Sequence, residues 1–415
     1  MVALSSRNEV INHMIRQLPP TAAPIRTNDL IFGLWAGTRG SQPRKRFETV
    51  LREYFGSAGC YAVESGRTAL RVIMEVLKSD STLGKRTQVI LPAYTCPVIL
   101  TVIRDAGLTP VLCDITLDTM DFDEVRLMEL VNSMTLAVIH VHPFGLPRNI
   151  DAISTITNSV GACLIEDACQ SMGAVIDNRK VGTRGVFGFA SFGPGKPLSL
   201  GGGGVILVND PKWIAPFEMV TDQHDGLFSL NQAGMLESAM TWGRVAVLKL
   251  IFSPIGWWLA TRLGLQRMGD DPRYQGYKLN WLSSSQSGIG HRALDHLERL
   301  NTHRHQAGHR LNVELSNVPG IRLFSMPLSG KPIYLRFPFL VENLERREAL
   351  FKQLWSAGLG VGKVYQKPLD DIFPDLPRGP YPAAYYIAQH LLTIPTHPYV
   401  QDWDIKKMVD VIQQY

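Results

Sequence analysis

Three short runs carry residues able to do covalent chemistry. Ser191-Phe192-Gly193-Pro194-Gly195-Lys196 sets one lysine in a turn of small residues, ahead of consecutive glycines at 201–204 where the backbone can approach a ligand closely. Ile165-Glu166-Asp167-Ala168-Cys169-Gln170 puts an acid directly after an apolar strand. Glu64-Ser65-Gly66-Arg67-Thr68 precedes a helical stretch, where first-turn amides and hydroxyls can cradle a phosphate.

Each run alone has an ordinary explanation. A lysine in a glycine turn is generally solvated, and a strand-end aspartate commonly caps a helix or forms a turn. Ser65 to Thr68 reads equally well as plain helix capping. Their order and shared placement point further. An amine nucleophile, a buried acid and a phosphate cradle are together what pyridoxal 5′-phosphate (PLP) requires: the lysine forms the Schiff base, the acid keeps the pyridine nitrogen protonated, and the cradle anchors the phosphate.

Competing motifs fail on their own chemistry. Gly195-Lys196 is no P-loop, because Ala190 stands where the first glycine is needed and Pro197 where Ser or Thr would bind magnesium. A strand, not a helix, follows the glycines at 201–204, so no dinucleotide fingerprint is formed. His291, His296, His303, His305 and His309 crowd one helical region without carboxylates or cysteines at ligand spacing; a solvated helix face is the reading, and no metal is expected.

The elements that must position these runs are legible from about residue 60 to 210. Short apolar or β-branched runs (Gln88 to Leu91, Pro110 to Cys113, Leu136 to His140, Ala162 to Ile165, Gly188 to Ser191, Val205 to Val208) alternate with amphipathic stretches such as Thr68 to Leu77 and Val98 to Asp105. That alternation predicts an α/β fold, a mostly parallel sheet covered by helices, with ligands beyond the carboxyl ends of the strands. Farther on come a polar helix from His291 to Leu315, a strand over Tyr334 to Val341, a helix over Leu344 to Ala357, a strand near Val361 to Tyr365 and a closing helix from Asp402 to Gln414. The expected division is a large domain over 1–290, with an N-terminal arm and an apolar insertion near 243–268, and a linking helix with a small α+β domain over 291–415.

Composition limits the function classes. A chain of 415 residues, 45% hydrophobic, can bury a large core, and a net charge of +5 dispersed along it does not suggest nucleic acid as a partner. The five cysteines show no CxxC spacing and several sit in apolar runs, which favours a reducing cytoplasm. Met1 to Pro20 carries Arg7, Glu9 and Arg16 and lacks the unbroken apolar core of a signal peptide.

From about Phe47 to the C-terminus the chain resembles the DegT/StrS-type aminotransferases, fold-type-I PLP enzymes that mostly aminate keto-sugars. The resemblance rests on Glu64 to Leu70, Leu91-Pro92-Ala93-Tyr94-Thr95, His142-Pro143-Phe144-Gly145, Ile165 to Ala174, Val181-Gly182, Ser191-Phe192 with Lys196, and Ile394 to Pro398, in the family's order. It implies that Lys196 carries the cofactor and Asp167 pairs with the pyridinium. It further implies that Tyr94 stacks on the ring, that Gln170 approaches the ring hydroxyl, and that Ser191, Gly66 and Arg67, with Thr68 beside them, bind the phosphate. The implied reaction is transfer of an amino group from an amino acid, by the same resemblance glutamate, to a keto-sugar on a nucleotide or lipid carrier, by a homodimer. Departures bear on the substrate: Gly193 replaces the usual histidine, Leu279-Asn280-Trp281 the segment that reaches a neighbouring subunit, and Val364-Tyr365 with Leu369-Asp370 a His-Tyr and Leu-His stretch. Sugar dehydration with the same cofactor and a non-catalytic PLP-binding or scaffolding role stay open as alternatives; the dehydrating relatives lack the lysine kept here.

One segment stands apart. Val245 to Leu265 is apolar except for Lys249, Ser253, Thr261 and Arg262, and Pro254-Ile255-Gly256 interrupts it. A helix–turn–helix docked on a membrane surface is expected, with Trp257 and Trp258 at headgroup level and Arg244, Lys249, Arg262 and Arg267 toward anionic lipid. Packing against a partner subunit or the small domain is the equal alternative.

Overall fold

Strands that must be buried on both faces read as continuous apolar runs, and that is what the central part of this chain supplies. The computed structural model describes residues 16–222, 230–264 and 276–414. Its strands in chain order are β1 (Gly59–Val63), β2 (Gln88–Pro92), β3 (Thr109–Cys113), β4 (Thr135–Val141), β5 (Cys163–Asp167), the small hairpin β6 (Val175–Ile176) and β7 (Arg179–Lys180), β8 (Phe187–Ser191) and β9 (Gly204–Val208). Seven of them form one sheet in the order β1-β9-β8-β5-β4-β2-β3. All neighbours from β8 to β3 are parallel, and β9 runs antiparallel to both β8 and β1. Alternation along the strands sends successive residues to opposite faces: Val89, Leu91, Ala137, Ile139, Cys163 and Ile165 join one core cluster, and Ile90, Val138 and Leu164 join another.

Five helices matter for the site: α1 (Thr27–Gly37), α2 (Gly66–Ser79), α3 (Met235–Ile251), α4 (Pro254–Arg262) and α5 (Ser284–Leu315). The long helix starts at Ser284, ahead of the expected His291, although its first turns are Ser- and Gly-rich and poor helix formers. Packing overrides propensity there. A Cβ on Gly288 would sit 2.4 Å from the Ala36 Cβ, and one on Gly33 would sit 2.4 Å from Ile289 Cγ1, so small residues let α1 and α5 cross at close range.

A second sheet, β10 (Ile321–Leu323), β11 (Arg336–Val341) and β12 (Leu391–Pro395), is antiparallel throughout. The strand expected near Val361 to Tyr365 reduces to a single bridge between Gly362 and Thr393. Tyr365, with φ at +47°, turns the chain out of the extended conformation. β1 was not legible, since Gly59-Cys60-Tyr61-Ala62-Val63 carries little β-branched character.

The apolar insertion is a bent pair of helices. α3 and α4 meet at 91°, and no single helix among the described residues is long and apolar enough to cross a membrane. The break falls where proline predicts it: Pro254 opens α4, and the Ser253 hydroxyl caps it by accepting from the Gly256 amide at 3.1 Å. Leu265 and Arg267, the outer part of the expected segment, lie outside the described residues. So do Arg7 and Glu9.

Candidate active site

Parallel register brings the three chemical runs to one edge of the sheet. β5 pairs Asp167 with Phe189 of β8, two residues before Ser191. β9 pairs Gly204 with both Ser191 and Val63, so the end of β1, and the Ser65-capped start of α2 beyond it, lie beside the same edge. Gly66, Arg67, Asp167, Gln170, Ser191 and Lys196 together line a cavity of about 630 Å³.

The helix end in this cavity is built by its cap. The Ser65 hydroxyl accepts from the Thr68 amide at 3.0 Å, which leaves the first-turn amide end of α2, with its partial positive charge, on the cavity wall. A Cβ on Gly66 would lie 3.2 Å from Ser191 Cβ and 3.5 Å from Cys169 Sγ, so glycine keeps open a cradle that a larger residue would fill. Opposite charges are arranged around it. Burial raises the Asp167 carboxyl above its ordinary value, more than its hydrogen bonds from Cys169 and the Lys196 charge lower it. Such an acid is stabilised as carboxylate by a cation placed against it.

Beneath Asp167 lies a second, wholly buried pair. The Arg148 amide donates to His142 Nδ1 at 3.0 Å, so Nε2 carries the ring proton and donates to Glu166 Oε2 at 3.0 Å. Glu166 also accepts from the amides of Gly182 at 2.9 Å, Gly185 at 2.6 Å and Arg184. Desolvation opposes its charge, but His142 and these amides outweigh that and hold the carboxyl well below the usual range; burial lowers His142 from its ordinary value. The pair ties the end of β4 to the end of β5 and to the Gly182 turn.

Two of the residues expected at the site are not on the cavity wall. Thr68 is fully buried, its hydroxyl donating to the Lys278 carbonyl at 2.8 Å. Tyr94, expected to stack on a ring, is drawn toward the small sheet because its buried hydroxyl needs a partner and finds the Val364 carbonyl at 2.7 Å. Thr95 and Cys96 occupy the wall instead. Gln170 does line the cavity, with Oε1 accepting from the Phe144 amide at 2.9 Å and Nε2 donating to the Tyr365 hydroxyl at 3.2 Å.

Glu64, Cys96, His142 and Cys169 also line the cavity, and each stands in or beside a run singled out by its chemistry. Thr241, Arg244 and Leu248, contributed by α3, carried no such signal.

Residues 31–413 match the model of the DegT/DnrJ/EryC1/StrS aminotransferase family. The chain belongs to this family. Solved structures agree at the level of fold. A DegT/DnrJ/EryC1/StrS aminotransferase from Brucella abortus is 23% identical, with 93% of this chain and 95% of that one covered at a TM-score of 0.72. DesV from S. venezuelae is 21% identical, over 90% and 88%, at 0.70. GDP-4-keto-6-deoxy-D-mannose-3-dehydratase from E. coli, solved with bound hydrated PLP, is 20% identical, over 96% and 100%, at 0.74. The architecture is that of the fold-type-I PLP enzymes. Within this family the segment Leu279-Asn280-Trp281 is tied into its own chain: Trp281 bridges Val63, its amide donates to Asn231, and the next amide, of Leu282, donates to Ala62.

Proposed function

We propose that the protein is a PLP-dependent aminotransferase that moves an amino group from an amino acid, glutamate in this reading, to a keto-sugar. The observation that carries it is the meeting, in one cavity, of the amine of Lys196, the desolvated Asp167 carboxyl and the Gly66–Ser191 cradle at the start of α2. These suit PLP in charge and shape: an anion at the helix end, a cation against Asp167, and a carbonyl within reach of an amine.

When bound, PLP supplies the electron sink that makes a Cα proton of an amino acid labile. The chain's own residues do the rest. Asp167 would hold a proton on the pyridine nitrogen by its charge, and the buried His142–Glu166 pair keeps the strand ends that position it in place. Ser191, Gly66 and Arg67 would hold the phosphate, and Gln170 would meet the ring hydroxyl. Lys196 Nζ would take and return the proton as general base and acid. Family likeness supports a homodimer, the five free cysteines support a reducing cytoplasm, and the exposed apolar residues of α3 and α4 support docking on an anionic membrane surface.

The test is spectroscopic. Glutamate added alone to the holoenzyme is expected to bleach the cofactor's visible band and to yield pyridoxamine phosphate, with no sugar present. If no amino donor changes the spectrum, sugar dehydration or a non-catalytic role takes the place of transamination.

A further inference from the structure

α3 presents two different faces. Thr241, Arg244 and Leu248 line the cavity, and Val245 beside them is fully buried. This face rests on the glycine turn that follows Lys196: a Cβ on Gly201 would lie 3.2 Å from both Leu248 Cδ1 and Val245 Cγ2. The other face is an apolar row at helical spacing, Leu236, Met240, Val247 and Leu250, which are 75%, 58%, 54% and 68% exposed. Beyond the bend, Ile255, Leu259 and Leu263 continue it and are also more than half exposed.

Arg244 stands on the seam between the faces. On a helix its neighbours three and four residues away are Thr241 and Leu248 on the cavity side, and Met240 and Val247 on the outer side. Lys278 is engaged with Glu237 at 2.8 Å and Lys249 with Thr27 at 2.8 Å, whereas Arg244 makes no hydrogen bond or ion pair among the described residues. From Ser238 to Gly264 the only charged side chains are Arg244, Lys249 and Arg262.

We infer that the cavity takes a sugar carried on a lipid diphosphate, with the Arg244 guanidinium on the phosphate and the hydrocarbon chain laid along the outer row of α3 and α4. The assignment rests on the keto-sugar reading above and names its carrier. A molecule that is polar in the cavity, anionic at the seam and apolar outside matches the three chemistries in the order in which the structure arranges them. A nucleotide carrier shares the diphosphate, and Tyr277 on the cavity wall offers its base an aromatic face, but it would leave the outer row of α3 uncovered, which a hydrocarbon chain would not. A second copy of the chain fits the row less well than lipid does. Two-fold contact would set this patch against itself, with Arg244, Lys249 and Arg262 of both copies brought together and no acid over residues 238–264 to offset them, while an anionic lipid surface supplies the opposite charge.

Binding to the purified holoenzyme, measured by calorimetry, separates the carriers. The probes are farnesyl diphosphate, UDP, inorganic pyrophosphate and farnesol. Farnesyl diphosphate is expected to bind at least about tenfold more tightly than each of the others, since it alone engages both the seam and the row. Arg244→Gln is expected to weaken it by about tenfold, the scale of a lost charge-assisted hydrogen bond, and Arg244→Lys to recover part of that. Tighter binding of UDP than of farnesyl diphosphate, or an unchanged Kd in Arg244→Gln, overturns the assignment. The glutamate spectrum is recorded on the same samples. If it fails while the binding pattern holds, transamination falls and the carrier assignment stands; if it succeeds while UDP binds best, the reverse follows.

Discussion

At the scale of single residues, the site is a set of charges whose values are set by burial. Asp167 is raised by desolvation, so its charge is costly without a cation, and PLP protonated on its ring nitrogen is the cation it suits. Replacing Asp167 with Asn keeps the shape and removes the charge. Asp167→Asn is expected to retain part of its cofactor absorbance while turnover falls by about 10²- to 10³-fold, the range for loss of one preorganised electrostatic partner. Near-normal turnover in that variant would make the acid structural. The residue types at this site were readable because chemistry restricts them: few side chains serve as an amine nucleophile or a strand-end acid. The position of Tyr94 was not readable, because its place is decided by the Val364 carbonyl, 270 residues away in the chain.

At the scale of elements, the decisive contact is α3 on the glycine turn. Gly201 has φ at +69°, a left-handed conformation that an L side chain adopts at a cost of roughly 1–2 kcal/mol, and α3 leaves its Cβ position little room. Gly201→Ala is therefore expected to lower the thermal midpoint by a few degrees and to loosen retention of the cofactor, read by circular dichroism and by absorbance after gel filtration. An alanine variant as stable as the parent would show that α3 does not bear on the turn. The neighbouring helix α4 bears on which side chains would meet a membrane in the proposed docking. Trp257 and Trp258 are only partly exposed, and Trp257 packs on Phe252 with ring centroids 5.6 Å apart; the freely exposed side chains are Leu250, Ile255, Leu259 and Leu263.

At the scale of the molecule, two associations follow from the proposed reading. Light scattering is expected to give twice the 46.2 kDa chain mass, and a monomer would remove the dimer from the reading. Flotation is expected to carry the protein with vesicles containing anionic lipid, and to leave a Leu250→Ser/Leu259→Ser variant in the soluble fraction with its dimer mass and cofactor spectrum intact. If the parent protein does not float, or if the double variant loses its dimer mass, α3 and α4 belong to the protein's own packing.

What the sequence determined by itself was local or periodic. Alternating apolar runs and amphipathic stretches are sufficient for a parallel sheet under helices, because burial on two faces demands them. The spacing of Ser191, Gly195 and Lys196, and of Glu166, Asp167 and Gln170, is likewise sufficient for a strand-end site, because each chemistry lies within a few residues of a strand terminus. The tertiary structure decided what depends on distant partners. It set the start of α5 within a run of poor helix formers that packs on α1, and the bonding of His142 to both Arg148 and Glu166. It also placed Arg244, with Thr241 and Leu248, on the wall of a cavity whose remaining lining comes from residues 64 to 203 and 276 to 286. A helical pattern shows which residues share a face; only the packed chain shows what that face meets.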